Sequence, residues 1–282
     1  MDKLKGGGFQ KILSIVGRLI PGLRLKTTIY LKLIYGPRKF FRTYTSGFYR
    51  IDHIYDVMKE FSNQFEGKFS VIEFGVADGY AFTKKLYAAE YLGVSDRFRF
   101  HGFDTFEGLP EIDDDVDSSL VAGDSWEEGT YKGRQEELQA HCAERYDNFE
   151  LHKGLFEDTL TQEFLDTLEE YKPALIWIDC DLYSSTKSIF ERLLPYIPTG
   201  CVIYFDDIYY NYSSRFTGEM RAVHEINSGK FGENVELVPD TALSWDSNRL
   251  YRMINMDAKT KHVLRKTRTD GIRFRADDSP FP

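Results

Sequence analysis

Four short apolar runs mark the chain, at Phe69–Gly75, Phe98–Asp104, Ala174–Asp179 and Cys201–Asp206, and each closes on an acid or a glycine. Runs of this kind predict buried strands of a parallel sheet, because helices cover both faces and no polar alternation is needed. Asn148–Lys153 predicts a fifth strand. Between them the period changes to 3.6. In residues 46–66, Ile51, Ile54, Tyr55 and Met58 share one helix face, and Gly79–Leu92 is composed of strong helix formers. Further helices are expected at 132–146, 160–170 and 216–228, and one at 184–196 behind Ser184 and Ser185 as N-cap residues. Segments 234–238 and 248–254, joined by a loop carrying Trp245, read as a closing hairpin. The alternation predicts an α/β fold: a doubly wound, Rossmann-like, seven-stranded and mostly parallel sheet with a C-terminal antiparallel hairpin.

The ends of two strands carry the first chemical signal. Asp179-Cys-Asp181 and Asp206-Asp207 each follow an apolar run. In open α/β sheets ligands sit outside the carboxyl ends of the strands. Three or four carboxylates on one rim would repel one another, so a cation is the economical explanation.

Residues 107–131 interrupt the rhythm with Gly108, Pro110, the acidic run Glu111–Asp117 and Gly123-Asp-Ser-Trp126. An insertion of that length inside a domain reads as a lid. The acidic run lacks the glycine-centred alternation of a calcium loop and reads as a solvated face.

Composition divides the chain further. The 282 residues carry a net charge of −9, yet residues 1–45 hold ten Lys/Arg against Asp2 alone, which leaves −18 on the rest. This predicts a basic amphipathic arm (1–45), an acidic main domain (46–256) and a basic tail (257–282). The apolar pieces of the arm fall short of the ~20 uncharged residues of a membrane span, and they carry too many basic residues for a signal peptide. The arm is left as a surface for a partner subunit in a homo-oligomer, as a peripheral membrane contact, or as a disordered extension. Cys142, Cys180 and Cys201 have no pair spacing, which suits buried thiols in a cytoplasmic, reducing setting. An acidic body without a nucleic-acid-binding motif argues against nucleic acid as partner.

Three further motifs follow the strands. Glu73-Phe-Gly75-Val-Ala-Asp-Gly79-Tyr80 puts glycines between a strand and a helix, without the G-x-G-x-x-G of a dinucleotide site. The run His101-Gly-Phe-Asp104-Thr105-Phe-Glu-Gly-Leu-Pro110 places an acid where ribose hydroxyls would be met, or where a helix N-cap would stand. Lys153-Gly-Leu-Phe156-Glu157-Asp-Thr-Leu160 marks a third strand end. The first motif resembles motif I of class I S-adenosylmethionine-dependent methyltransferases. Asp104–Pro110, Gly154–Leu160, Asp179–Thr186 and Asp206–Asp207 occur in the order of the macrocin O-methyltransferase (TylF/MycF-like) family. Arg221-Ala-Val-His-Glu225 also resembles that family's motif after the acid pair. The likeness covers roughly residues 50–255.

The resemblance implies S-adenosylmethionine and Mg2+ as cofactors and a small-molecule hydroxyl acceptor, often a sugar. It implies Asp179, Asp206 and Asp207 as metal ligands, with Asp179 central to catalysis. Glu73 and Gly75 would face the amino-acid end of the cofactor, Asp104 the ribose, and Phe156 and Glu157 the adenine, with Tyr80 and Thr105 also binding the cofactor. The spacing from Asp179 to Asp206 is 27 residues, as in the more distantly similar catechol O-methyltransferase layout, whereas from Asp181 it is 25. Asp181 is therefore expected one step back from the ion. The catechol enzyme has a lysine three residues after its first metal Asp; here that residue is Leu182. The candidates left for a base are His101, His152, Asp124 and Asp181. Two rival readings are a nucleotide-sugar glycosyltransferase using Asp179-Cys-Asp181 as a D-x-D motif and a non-catalytic, membrane-associated protein on a methyltransferase fold. The first leaves Asp104, Gly154–Leu160 and Asp206–Asp207 unexplained.

Overall fold

The computed structural model of the chain describes residues 22–29, 51–112, 116–117, 127–243 and 249–265. Helix α1 (Leu23–Ile29) and helix α2 (Ile51–Gln64) come first. Then follow β1 (Phe65–Glu66), β2 (Lys68–Phe74), α3 (Tyr80–Leu92), β3 (Phe98–Asp104), α4 (Gln135–Ala143) and β4 (Phe149–Lys153). Next are α5 (Phe156–Thr159), α6 (Gln162–Thr167), β5 (Tyr171–Ile178), α7 (Tyr183–Leu193) and β6 (Val202–Phe205). The order ends with α8 (Gly218–Asn227), β7 (Val235–Pro239), β8 (Leu250–Asn255) and β9 (Val263–Leu264).

Seven strands form one sheet in the order β4-β3-β2-β5-β6-β8-β7. The five from β4 to β6 are parallel, and β8 runs antiparallel to both β6 and β7. The closing hairpin is present, with its second arm inserted beside β6 and its first arm on the edge. The near-continuous hydrophobicity of the central strands has its cause here. Val71, Trp177 and Tyr204 join a cluster with Phe61 of α2 and Phe82 of α3. Their sequence neighbours Ile72, Ile178 and Phe205 join a second cluster with Phe164 of α6 and Phe190 of α7. Both faces are dry, so neither parity of the strand is polar.

Local differences from the sequence pattern have identifiable reasons. Strand β5 begins before its apolar run, at Tyr171, and carries Pro173. Its pairing with β2 shifts between Ser70 and Val71, which takes Ala174 out of register next to a residue with no N–H to donate. Ser184 and Ser185 do not cap α7. Leu182 is its N-cap, and the Asp117 carboxylate accepts from Tyr183 N at 2.6 Å and Ser184 N at 2.9 Å.

Of the arm, only residues 22–29 are described. There α1 packs on α3 with Thr27 buried and Arg24 paired to Glu90. The remainder of the arm, tail residues 266–282, Trp245, and residues 113–115 and 118–126 of the insertion lie outside the described residues. The start of the tail is anchored rather than draped: β9 pairs with β1, and His262 lies among Phe61, Phe65 and Phe69. All three cysteines are buried and free. Among the described residues no helix is long and apolar enough to cross a membrane.

Candidate active site

Adjacent strand ends are stitched together, which brings their acids onto one rim. Gly75 N donates to Phe103 O, Asp179 N to Phe74 O and Asp206 N to Ile178 O, each at 2.9 Å. Gly75 sits at φ +85°, and a Cβ there would lie 1.8 Å from the Asp179 carbonyl oxygen. Only glycine allows this approach between the first motif and the first metal-type Asp. Above the rim opens a cavity of about 1100 Å³, larger than the ~300–1,000 Å³ of single-ligand pockets. All ten residues assigned from the sequence to the metal or the cofactor, Glu73, Gly75, Tyr80, Asp104, Thr105, Phe156, Glu157, Asp179, Asp206 and Asp207, line it.

Asp179, Asp206 and Asp207 offer carboxylate oxygens that all lie within 4.8 Å of one another. Burial first, then the neighbouring carboxylates, push Asp179 up to about 8 and Asp207 up to about 9. Arg249 Nη1 pairs with Asp206 Oδ1 at 2.5 Å and also bonds the Asp206 carbonyl. Three converging hard oxygens, with a guanidinium on one of them, form a donor set that suits a small hard divalent cation. Asp181 lines the same cavity in the left-handed region, φ 60°, beside Asp207 and outside the converging trio.

On the neighbouring strand β2, Glu73 lines the same cavity. This fully buried carboxylate accepts from Lys85 Nζ at 2.7 Å through Oε2, while Oε1 has no hydrogen-bond partner. Burial raises the Glu73 pKa and lowers that of Lys85, each against the pull of its partner. An unpartnered carboxylate oxygen on the cavity wall is an acceptor for a ligand N–H, and an ammonium group would suit it.

Asp104 is more committed than its ribose assignment supposes. Its Oδ2 accepts from Val76 N at 2.7 Å and Ala77 N at 2.8 Å, and its Oδ1 from Phe106 N at 2.5 Å. Three of its roughly four lone-pair sites thus hold loop backbone. The Thr105 hydroxyl is engaged in its own turn, donating to Gly108 O at 2.7 Å. Tyr80 stands half exposed with Lys84 Nζ 4.1 Å from its ring centroid, and Phe156 packs edge-on against Phe74.

Comparison with known proteins now bears on this geometry. The macrocin O-methyltransferase (TylF) family matches residues 40–236. The chain belongs to that family. Among solved structures it is similar to the calicheamicin methyltransferase CalS11, with 20% identity, a TM-score of 0.57, and coverage of 91% of this chain and 94% of that one. It is also similar to the O-methyltransferase NovP, with 20% identity, a TM-score of 0.50, and coverage of 73% and 79%. At this identity the two likenesses show a shared class I methyltransferase fold. No curated protein sequence gives a match.

Several residues of this macrocin O-methyltransferase family member escaped the sequence reading. Lys85 lies in a helix buried on most sides, where a lysine has no periodic signal to mark it. Arg249 and Glu219 arrive from distant segments, and Asp117, read from the sequence as part of a solvated acidic face, is buried because its carboxylate accepts from the first amides of α7. Glu219 is buried, accepts from Asp207 N at 3.0 Å, and has its pKa pushed well up by burial. Tyr131 and Tyr210 border the carboxylates, which add to the burial that raises both phenols.

Two proposed bases are elsewhere. His101 and His152 lie outside the cavity, packed against Phe103 and Phe164. With Glu150 they could count as metal ligands, but His101 Nδ1 and His152 Nε2 meet at 3.1 Å with ring centroids 5.4 Å apart. The rings therefore abut end to end, each nitrogen facing the other instead of a common third point. They are a hydrogen-bonded pair, and burial drives His101 down to about 3. Asp124 lies outside the described residues.

Proposed function

We propose that this chain is a metal-dependent O-methyltransferase that transfers the methyl group of S-adenosylmethionine to a hydroxyl of a sugar or glycosylated small molecule. One observation carries the reading: a single cavity is lined both by three converging carboxylates and by Glu73, whose Oε1 has no hydrogen-bond partner. Family membership supplies the reaction class.

Asp179, Asp206 and Asp207 would hold a divalent ion, with Mg2+ the natural match for oxygen donors. When bound, that ion supplies Lewis-acid assistance to ionisation of the acceptor hydroxyl. S-adenosylmethionine, when bound, supplies the electrophilic methyl group. Glu73 Oε1 would accept from the amino group of the methionine moiety, with Lys85 holding the other oxygen. Asp104 orders the Val76–Ala77 turn against which the cofactor would lie. Phe156 and Leu155 offer an apolar wall for a flat base. Among the described residues Asp181 is the one base candidate from the sequence that lines the cavity, and we assign it to take the acceptor's proton.

Chelation separates this reading from a metal-free one. Activity on a panel of sugar and phenolic acceptors should disappear in EDTA and return with Mg2+, while S-adenosylhomocysteine still binds by calorimetry. Asp207→Asn should behave like the chelated protein. Full activity in EDTA would overturn the metal assignment, and tight metal-dependent binding of a nucleoside diphosphate would favour the glycosyltransferase reading.

A further inference from the structure

Strands β5 and β6 present Trp177 and Tyr204 as direct register partners, each two residues before the acid that closes its strand. Residues two apart share a face, so both side chains lie under the carboxylates at Asp179 and Asp206. Their rings stack with centroids 3.7 Å apart and planes 17° off parallel, and both are about 1% exposed. The far face of the indole is covered by Lys85 Nζ, 4.1 Å from the ring, which Glu73 holds in turn. The indole is thus clamped between an ammonium and a phenol. From this clamp Trp177 Nε1 donates to Asp179 Oδ2 at 3.4 Å, and Tyr204 OH donates to Asp206 Oδ1 at 2.8 Å.

We infer that Trp177 and Tyr204 are positioning residues of the metal centre: the stacked pair sets the planes of Asp179 and Asp206 so that their carboxylates converge with Asp207. The inference rests on the metal-centre reading above. Packing alone does not account for the arrangement. A buried indole N–H or phenol O–H needs a polar partner, and here both partners are acids of the converging trio. Tyr204 and Arg249 meet at the same oxygen of Asp206, which fixes the carboxylate from two directions. Donors of this kind, one step behind the ligands, typically change metal affinity 10–100-fold when removed.

The test uses Tyr204→Phe and Trp177→Phe in the full chain, with Mn2+ as the probe, free Mn2+ followed by electron paramagnetic resonance, and S-adenosylhomocysteine binding measured separately. Tyr204→Phe keeps the stack and loses only the hydroxyl, so Mn2+ should bind about 10–100-fold more weakly with S-adenosylhomocysteine affinity unchanged. Trp177→Phe should lose less, because its bond is longer. Unaltered Mn2+ affinity in Tyr204→Phe, with the parent chain binding Mn2+, overturns the inference and leaves the metal reading standing. Equal losses of Mn2+ and S-adenosylhomocysteine binding would mark a general packing role and overturn it as well. A parent chain that binds no Mn2+ overturns the metal reading and the inference together.

Discussion

At the scale of single residues, the site depends on charges answered from outside their own motif. Glu73 belongs to the first glycine motif, but the cation that permits its burial is Lys85, 12 residues on and one helical face away. Removing one member of a buried pair leaves an uncompensated charge, which typically costs 3–5 kcal/mol. Lys85→Met should therefore destabilise the chain by about 3–5 kcal/mol in urea unfolding, and adding Glu73→Gln should recover part of the loss. A double variant no more stable than Lys85→Met would show that the ammonium acts by packing on Trp177 instead. The acids of the rim were legible from sequence because each ends an apolar run. Their partners were not, since Lys85, Arg249 and Glu219 carry no local signature and are selected only by where the chain returns.

At the scale of elements, Val116 and Asp117 of the insertion tie two helices together. Asp117 supplies the N-terminal cap of α7 from 66 residues away, and Val116 O accepts from Thr217 Oγ1 at 3.1 Å at the head of α8. An acid at a helix N-terminus satisfies orphan amides and meets the positive end of the dipole. Asp117→Ala should lower stability by about 1–2 kcal/mol and raise the acceptor KM, since this residue also lines the cavity. Asp117→Asn should keep part of both. Denaturant midpoints alongside steady-state kinetics measure the two effects, and a KM untouched by Asp117→Ala would separate the cap from acceptor binding. The sequence pointed to Ser184 and Ser185 for this cap, because N-cap propensity is local. A remote carboxylate won because Val116 and Asp117 are held against the heads of α8 and α7.

At the scale of the whole molecule, the start of the tail braces the sheet from the end away from the acids. His262 Nε2 lies 3.0 Å from Pro173 O amid phenylalanines, and burial lowers its pKa to about 4 from an ordinary 6.5. The folded state thus resists a proton that the unfolded chain accepts. Stability is complete above about 6.5 and is lost as pH falls from there toward 4, at up to ~1.4 kcal/mol per pH unit. His101 acts in the same direction, down to about 3. Between pH 7 and pH 5 the parent should lose about 2 kcal/mol more than His262→Phe, read from urea midpoints at the two pH values. Parallel losses in the two proteins would remove His262 from the acid limb.

The sequence by itself determined the order and type of the central strands and the acids at their ends. Those features depend on burial from both sides and on chain position, and both are written locally in hydrophobic runs and terminal carboxylates. It also marked Gly75, since a strand closing on an acid and a glycine announces a close backbone approach. Tertiary structure decided what local patterns do not encode: that β8 enters beside β6, that Asp104 is spent on its own loop, and that His101 and His152 face away from the cavity. It also brought Trp177 and Tyr204 together beneath the acids. Each of these is a matter of which neighbour a side chain meets across the sheet, and that is fixed only when distant strands come into register.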